Sequence, residues 1–378
     1  MSLNCVTCSA KVPEVQDSLS TDAVEAQDLP TLCSVWDDLR FHKECQTDSV
    51  EREHMATQTS PSRSLETTAS TVTAPSAPTI TEVLTSDESM SACAGLTSLL
   101  QFQKICECVA YIMLVFQVTC KWKLDIPSQV LLTLMKIKLN LSFRCLACYF
   151  HITPKCAREN FYYMVDVLHS ILKQFVVWLP KETIEGSMPV YFMVFTDTRV
   201  CLDCAEIPVQ KSKCLNCSVR MYSHYKGRHT VKFMIGISPS GVITFVSKVY
   251  GGRASDKFIF KDSKILELCG YGDAVMVDKG FAIETECDEA DVKLYRPPFF
   301  FKENEQYKTE EVVMCRRIAR ARVHVERVIQ RIRLFKILLQ QLDWSLLECI
   351  DKILVIVCEL VNLSPSVLGD KRFIQDDS

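Results

Sequence analysis

The sequence lacks both features that would direct it to a membrane. Its first residues, MSLNCVTCSAKVPEV, contain no basic run followed by an apolar one, so no secretory leader is expected. The longest uncharged apolar run, Cys108 to Cys120, has 13 residues and sits between Glu107 and Lys121. A helical crossing needs about 20, so membrane insertion is not expected. Net charge is nearly absent too, −3 over 378 residues, but the balance conceals two opposite parts. Residues 1–90 carry 15 Asp and Glu against 5 Lys and Arg, which leaves 31 acidic and 38 basic residues in 91–378. The larger part is therefore mildly basic, and the whole-chain balance says little about its partners.

Residues 1–90 also lack helical or strand periodicity. The run SPSRSLETTASTVTAPSAPTITEVLTSDES (60–89) buries too little apolar surface to offset its ordering entropy, and a disordered acidic Ser/Thr-rich tail is expected over 1–90. The 20 cysteines fit a reducing compartment, nucleus or cytosol, where thiols behave as small apolar residues. What remains after the tail is long enough for about two domains.

The first, over 92–180, reads as all-α. Residues 95–120 suggest one or two buried helices, and SQVLLTLMKIKLN (128–140) an amphipathic one. After LSFRCLACYF (141–150) comes a break at His151-Ile152, and Thr153-Pro154 opens a longer helix over 155–175. Thr suits the N-cap and Pro the first helical position. A short helix, a tight turn and a longer capped helix fit a DNA-binding helix-turn-helix, although spacing alone favours an ordinary helical hairpin. On the second helix Lys155 and Arg158 are candidate phosphate contacts.

The second domain, over 190–368, has a different texture. RVCLDCAEI (199–207), TVKFMIGI (230–237) and VITFVSKVY (242–250) read as strands, the last two joined by a turn at 238–241. A helix follows over 255–269, then strands over 273–278 and 291–296, and helices over 309–340 and 343–363. This order suggests an α/β domain.

Four acids stand at telling places. Asp203 lies in the first strand, Asp278 at the end of a later one, Glu326 in the long helix, and Asp256 at the start of the helix after the hairpin. Carboxylates converging from different elements are what Mg2+ or Mn2+ requires, and a pair of such ions can hold both oxygens of an in-line phosphoryl displacement. On the long helix Ile318, Ala321, Val325, Val328, Ile332, Phe335 and Leu339 form an apolar stripe at helical spacing. Glu326 falls off it beside Arg322 and Arg333. Arg316, Arg320, His324, Arg327 and Arg331 form a neighbouring basic row, and the four arginines are candidate DNA contacts. A solvated, salt-bridged helix has the same pattern.

The wording around these acids is more specific. FTDTRVCLDCAEI (195–207), YSHYKGRHTVKFMIGISPSGVITFVSKVYGGRASDK (222–257), VMVDKGF (275–281), RRIARARVHVERVIQRIRLFKIL (316–338) and VCELVNLSPSVL (357–368) resemble, in order and spacing, the DDE endonuclease domain of Harbinger-type transposases. GLTSLL (95–100) and LLTLMKIKLNLSFRCLACYFHIT (131–153) resemble the helix-turn-helix that precedes it. The resemblance implies an RNase H-like fold, two divalent metals (Mg2+ or Mn2+), and a nuclear enzyme that cuts DNA and can transfer the freed 3′ end. Asp203, Asp278 and Glu326 would be the metal-binding catalytic acids, with Asp256 in support. It also implies a multimer and a separate DNA-binding partner protein. A catalytically silent, domesticated transposase acting as a DNA-binding or scaffold protein is the alternative, and a nuclease acting on RNA fits the same acids.

Other signals compete. Cys201, Cys204, Cys214 and Cys217 have zinc-like spacing, but Cys201 and Cys204 would point to opposite faces of a strand. Relatives often carry an N-terminal THAP zinc finger; here Cys5-Val-Thr-Cys8 is followed by His42-Lys-Glu-Cys45, the wrong order, so that finger is absent or degenerate. Cys45-Gln46-Thr47 and Thr57-Gln58-Thr59 look like strand-adding anchors for dynein light chain.

Overall fold

The computed structural model describes residues 84–116, 124–297 and 309–365. The acidic tail up to residue 83, with its cysteine pair and light-chain-like motifs, lies outside the described residues, as does the end of the Cys108–Cys120 run.

The helical region begins earlier than the composition suggests. Helix α1 (Asp87–Ala94) starts on a capping box in which Ser86 and Ser89 each accept the other's backbone N–H. It ends at Gly95, whose φ of 78° suits glycine. A Cβ there would stand 2.6 Å from the Phe335 ring, so this glycine also lets the start of the fold pack against its far end. Helices α2 (Leu99–Val115), α3 (Ile126–Leu139), α4 (Phe143–Tyr149) and α5 (Pro154–Leu172) follow. As the sequence implies, Thr153 caps α5 by accepting from the Cys156 N–H at 3.2 Å, with Pro154 at the first turn. No single helix among the described residues is long and apolar enough to cross a membrane.

After a short helix α6 (Lys181–Gly186), the chain enters one sheet. Strand β1 (Thr198–Pro208) lies between the antiparallel β3 (Arg228–Ile237) and the parallel β6 (Ala274–Met276), and β7 (Lys293–Tyr295) continues beyond β6 in parallel. Strands β2 (Tyr222–Ser223), β4 (Ile243–Val246) and β5 (Tyr250–Gly251) pair with β3. An antiparallel trio followed by two parallel strands is the RNase H-like arrangement. Helices α7 (Leu215–Met221), α8 (Asp256–Ser263) and α9 (Glu284–Glu289) lie in the connections, and α10 (Thr309–Arg333), α11 (Lys336–Leu339) and α12 (Ile350–Asn362) close the fold.

Alternation along β1 divides the core. Cys201, Ala205 and Ile207 join a cluster with α10, α12 and the buried faces of α3 and α5, so the helical region and one sheet face share one core. Val200 and Leu202 face the other way, with Ile259 and Phe260 of α8 and with Val275 and Val277.

Three elements differ from the periodic reading. The helix expected over 309–340 breaks after Arg333, because Phe335 takes an extended backbone and sends its ring into the core. The break resets the helical phase, so the stripe holds through Phe335 while Leu339 is exposed. The helix expected over 255–269 stops at Lys264, which adopts a left-handed conformation, and continues as a 3-10 turn. The strand expected over 242–250 is split into β4 and β5.

Candidate active site

Parallel register places the two aspartates. Cys201 of β1 pairs with Met276 of β6, and both face the α10 side. Two residues further along each chain stand Asp203 and Asp278. Because side chains alternate across a strand, both carboxylates fall on that same face at the same level. They lie at the C-terminal end of β6, where α/β sheets commonly place ligands.

Helix α10 crosses this face. Ile318, Ala321, Val325, Val328 and Ile332 are buried, as their spacing implies. Arg322 and Glu326, one turn apart, flank that stripe on the side of the aspartates. Arg322 reaches both: Nη1 is 2.6 Å from Asp278 Oδ1 and Nη2 is 3.9 Å from Asp203 Oδ2. Its Nε is buried without a hydrogen-bond partner.

Asp203 is the electrostatically stressed member. Burial pushes its carboxyl up to about 6, and the negative charges of Glu326 and Asp278 add to the rise. Arg322 and the Cys204 N–H, which donates to Oδ1 at 2.8 Å, oppose it. Glu326 thus lies close enough for its charge to act on Asp203. The structure brings the three acids of the sequence reading to one neighbourhood.

Asp256 is not brought to them. Cys204, the neighbour of Asp203, points to the opposite face, and there Asp256 meets it together with Lys232, whose Nζ is 2.6 Å away. Burial and the Asp256 charge drive the Cys204 thiol well above its ordinary value. Burial would lower Lys232, but its bond to Asp256 outweighs this and holds the ammonium up. Cys201 and Cys204 do lie on opposite faces; Cys214 precedes α7 and Cys217 lies within it.

The fit to a divalent cation follows from the donors. Asp203, Asp278 and Glu326 are carboxylates from three elements, and hard oxygen donors suit Mg2+ or Mn2+. Among the described residues no three His, Cys, Asp or Glu side chains are grouped tightly enough to hold a metal by themselves. A guanidinium instead stands between the two aspartates, marking a place where the protein puts positive charge. The residues fit the group in kind, with Arg322 as the chain's own cation at that place.

The expected DNA contacts divide. Arg316, Arg320 and Arg327 are exposed, but at 3.6 residues per turn their row lies roughly a third of a turn round α10 from Glu326. Arg331 is half-buried and donates to the carbonyl of Pro365 at the end of α12, so it does not extend the row. His324 is buried, and burial and Arg327 push it down to about 4, which keeps it neutral. Of Lys155 and Arg158, both exposed in the first turn of α5, the former approaches Glu159 at 3.8 Å and the latter lies over the Phe143 ring. Further along, α5 is occupied by the end of the fold: Tyr162 donates to the Ser345 carbonyl, and Asp166 pairs with Lys352. Only its first turn is free of such contacts.

Sequence reasoning placed Arg322 beside Glu326 but gave it no role. The i, i+4 spacing was the available signal, and its link to both aspartates needs the sheet register.

Comparison with known families agrees with this geometry. Residues 202–362 match the model of the DDE superfamily endonuclease, and residues 122–174 match the helix-turn-helix of the DDE superfamily endonuclease. The second match favours helix-turn-helix over a simple helical hairpin for α3 to α5. No curated protein matches the chain. The two family matches identify residues 122–174 and 202–362 as the helix-turn-helix and the endonuclease domain of a DDE superfamily transposase-derived endonuclease.

Proposed function

We propose that the chain is a metal-dependent DNA endonuclease of transposase type, with Asp203, Asp278 and Glu326 as its acids and Mg2+ or Mn2+ as its cofactor. The observation that carries this reading is the placement of Asp203 on β1 level with Asp278, two residues past the end of the parallel β6, both within reach of Arg322, with the Glu326 charge raising the Asp203 carboxyl. When bound, two divalent ions supply a hydroxide-like nucleophile at neutral pH and neutralise charge on the leaving oxygen. The three carboxylates would hold them. Arg322 offsets part of the charge of the aspartates without metal and, once released from them, would be a cation available to a phosphate beside the acids. The first turn of α5 would hold the DNA through phosphate contacts by Lys155 and Arg158. A nuclear location and a multimer handling two DNA ends belong to the same proposal.

A catalytically silent DNA-binding or scaffold protein is the second reading. Its supporting observation is Arg322, whose bond to Asp278 engages one of the metal-binding carboxylates. Nicking of a supercoiled plasmid in Mn2+ separates the two. The enzyme reading expects nicking by the native chain and none by Asp278→Asn, with both equally folded. No nicking by the native chain, with DNA still retained in a gel shift, selects the silent reading.

A further inference from the structure

Between Glu206 and Asp256 there is no acidic residue: 49 consecutive positions carry eight Lys and Arg and not one Asp or Glu. At the chain's average of about one acid in eight residues, six would be expected. The stretch is densest in cations over 209–229, where the chain leaves β1, forms α7 and β2, and turns back into β3. Lys211, Lys213, Arg220, Lys226 and Arg228 are all exposed there. Among the described residues none of the five takes part in an ion pair, whereas Lys232, just beyond, is held by Asp256. Tyr225 is 85% exposed, with the Lys226 ammonium 4.4 Å from its ring centroid.

The arm is anchored from below. Glu206, the last acid before it, accepts from Ser223 and Thr230 and is thereby directed inward. At the base of the arm a cavity of about 290 Å3 opens between the sheet and α11, with Lys211, Arg228 and His229 on the sheet side and Leu339 and Gln341 on the other. The His229 ring is fixed by Ser218 at 2.8 Å. An open, cation-lined recess with no carboxylate in its lining suits a phosphodiester group.

Its position relative to the acids matters. Pro208, where the arm departs, lies five residues beyond Asp203 on the same strand. That is about 17 Å at ~3.3 Å per residue, or about five base pairs of duplex at ~3.4 Å each. We propose that the 209–229 arm and the recess formed by Lys211 and Arg228 are a second duplex-DNA contact, gripping the phosphate backbone about half a helical turn from the scissile position. This rests on the reading that the chain acts on DNA, and it assigns backbone grip to a surface separate from helix α5 and from the arginine row of α10.

The test is the salt dependence of binding to a fluorescently labelled 20-base-pair duplex in EDTA, read by anisotropy with the full chain. Each phosphate neutralised contributes about 0.9 to the slope of log affinity against log salt. Lys211→Gln with Arg228→Gln is expected to make the slope about 1.8 shallower while leaving Tm unchanged, since both side chains are exposed and unpaired. Lys155→Gln with Arg158→Gln should lower it separately, and the two effects should add. A native chain that binds with a slope unaffected by the arm substitutions overturns the arm proposal alone and leaves the recess to an acidic protein partner. A native chain that does not bind the duplex at all overturns both this proposal and the DNA reading beneath it.

Discussion

Strand β1 separates two charged sites, one on each face, and they differ in how completely their negative charge is answered. On one face Asp256 and Lys232 meet at 2.6 Å beside the Cys204 thiol, one acid with one base. On the other, Asp203 and Asp278 share the single guanidinium of Arg322, 3.9 Å from Asp203 and 2.6 Å from Asp278, and the charge of Glu326 adds to theirs. The closed pair needs nothing further. The open cluster retains excess negative charge in a partly buried place, a standing cost that a stability-driven sequence would remove and that a cation-binding site requires. The helix-turn-helix shows a related contrast. Most of α5 is committed to packing and contacts with the end of the fold, and its first turn alone is left outside them, so position within one helix separates scaffold from exposed surface.

The sharpest way to break the comparison is to neutralise the open cluster. The Asp203 carboxyl titrates near 6 in the folded chain against an ordinary 3.8, so between these values the native state holds its proton more tightly than the unfolded state. Stability should therefore rise as pH falls from about 6 to about 4. The penalty at neutral pH is about 3 kcal/mol, at about 1.4 kcal/mol per pH unit. Asp203→Asn, measured by denaturant unfolding in EDTA at pH 7.5, should gain up to about 3 kcal/mol and flatten the profile between pH 4 and 6. A loss of stability would mean that Arg322 repays Asp203 fully, and the two faces would then be alike.

The closed pair should respond in the opposite sense. Asp256→Asn leaves the Lys232 ammonium, 13% exposed, without its partner. Because Asp256 itself is 28% exposed, the cost is set at about 2 kcal/mol, below the 3–5 kcal/mol typical of a fully buried pair. Mn2+-dependent nicking per folded molecule should survive within a few-fold. If the fold holds and nicking disappears, Asp256 acts on the reacting phosphate, and its separation by the strand is not functional.

These contrasts mark where the sequence stops being legible. The apolar stripe of α10, the cap at Thr153 and the strand bearing Asp203 follow local rules of spacing and capping, and they are visible residue by residue. The partition of Asp203 from Asp256 is not, because it depends on which face of β1 each approaches, and Asp256 arrives from a separate helix. Helix α10 itself could not be bounded from periodicity, since the run of helix-forming residues continues past Arg333, and the break comes where Phe335 turns extended and enters the core. Helix α7 was missed for a similar reason: its seven residues, LNCSVRM, are too few to show a period. The row of arginines on α10 was legible as a row, but its angle to Glu326 and the engagement of Arg331 with Pro365 needed the fold.

The smallest expected effect tests what Arg322 does. A guanidinium bonded to Asp278 at 2.6 Å must give up that contact before the same oxygen can bind a divalent ion, so it acts as a competitor as well as a counter-charge. Arg322→Gln keeps much of the side chain's length and removes its charge. If competition dominates, Mn2+ binding followed by calorimetry should tighten about tenfold, equivalent to about 1.4 kcal/mol, while nicking falls because the cation beside the acids is gone. A gain in affinity with a loss in turnover is hard to obtain from a merely structural residue, whose removal would weaken both. If Mn2+ binding weakens instead, Arg322 organises the aspartates for the ion, and the open cluster is open only until its own arginine has set it in place.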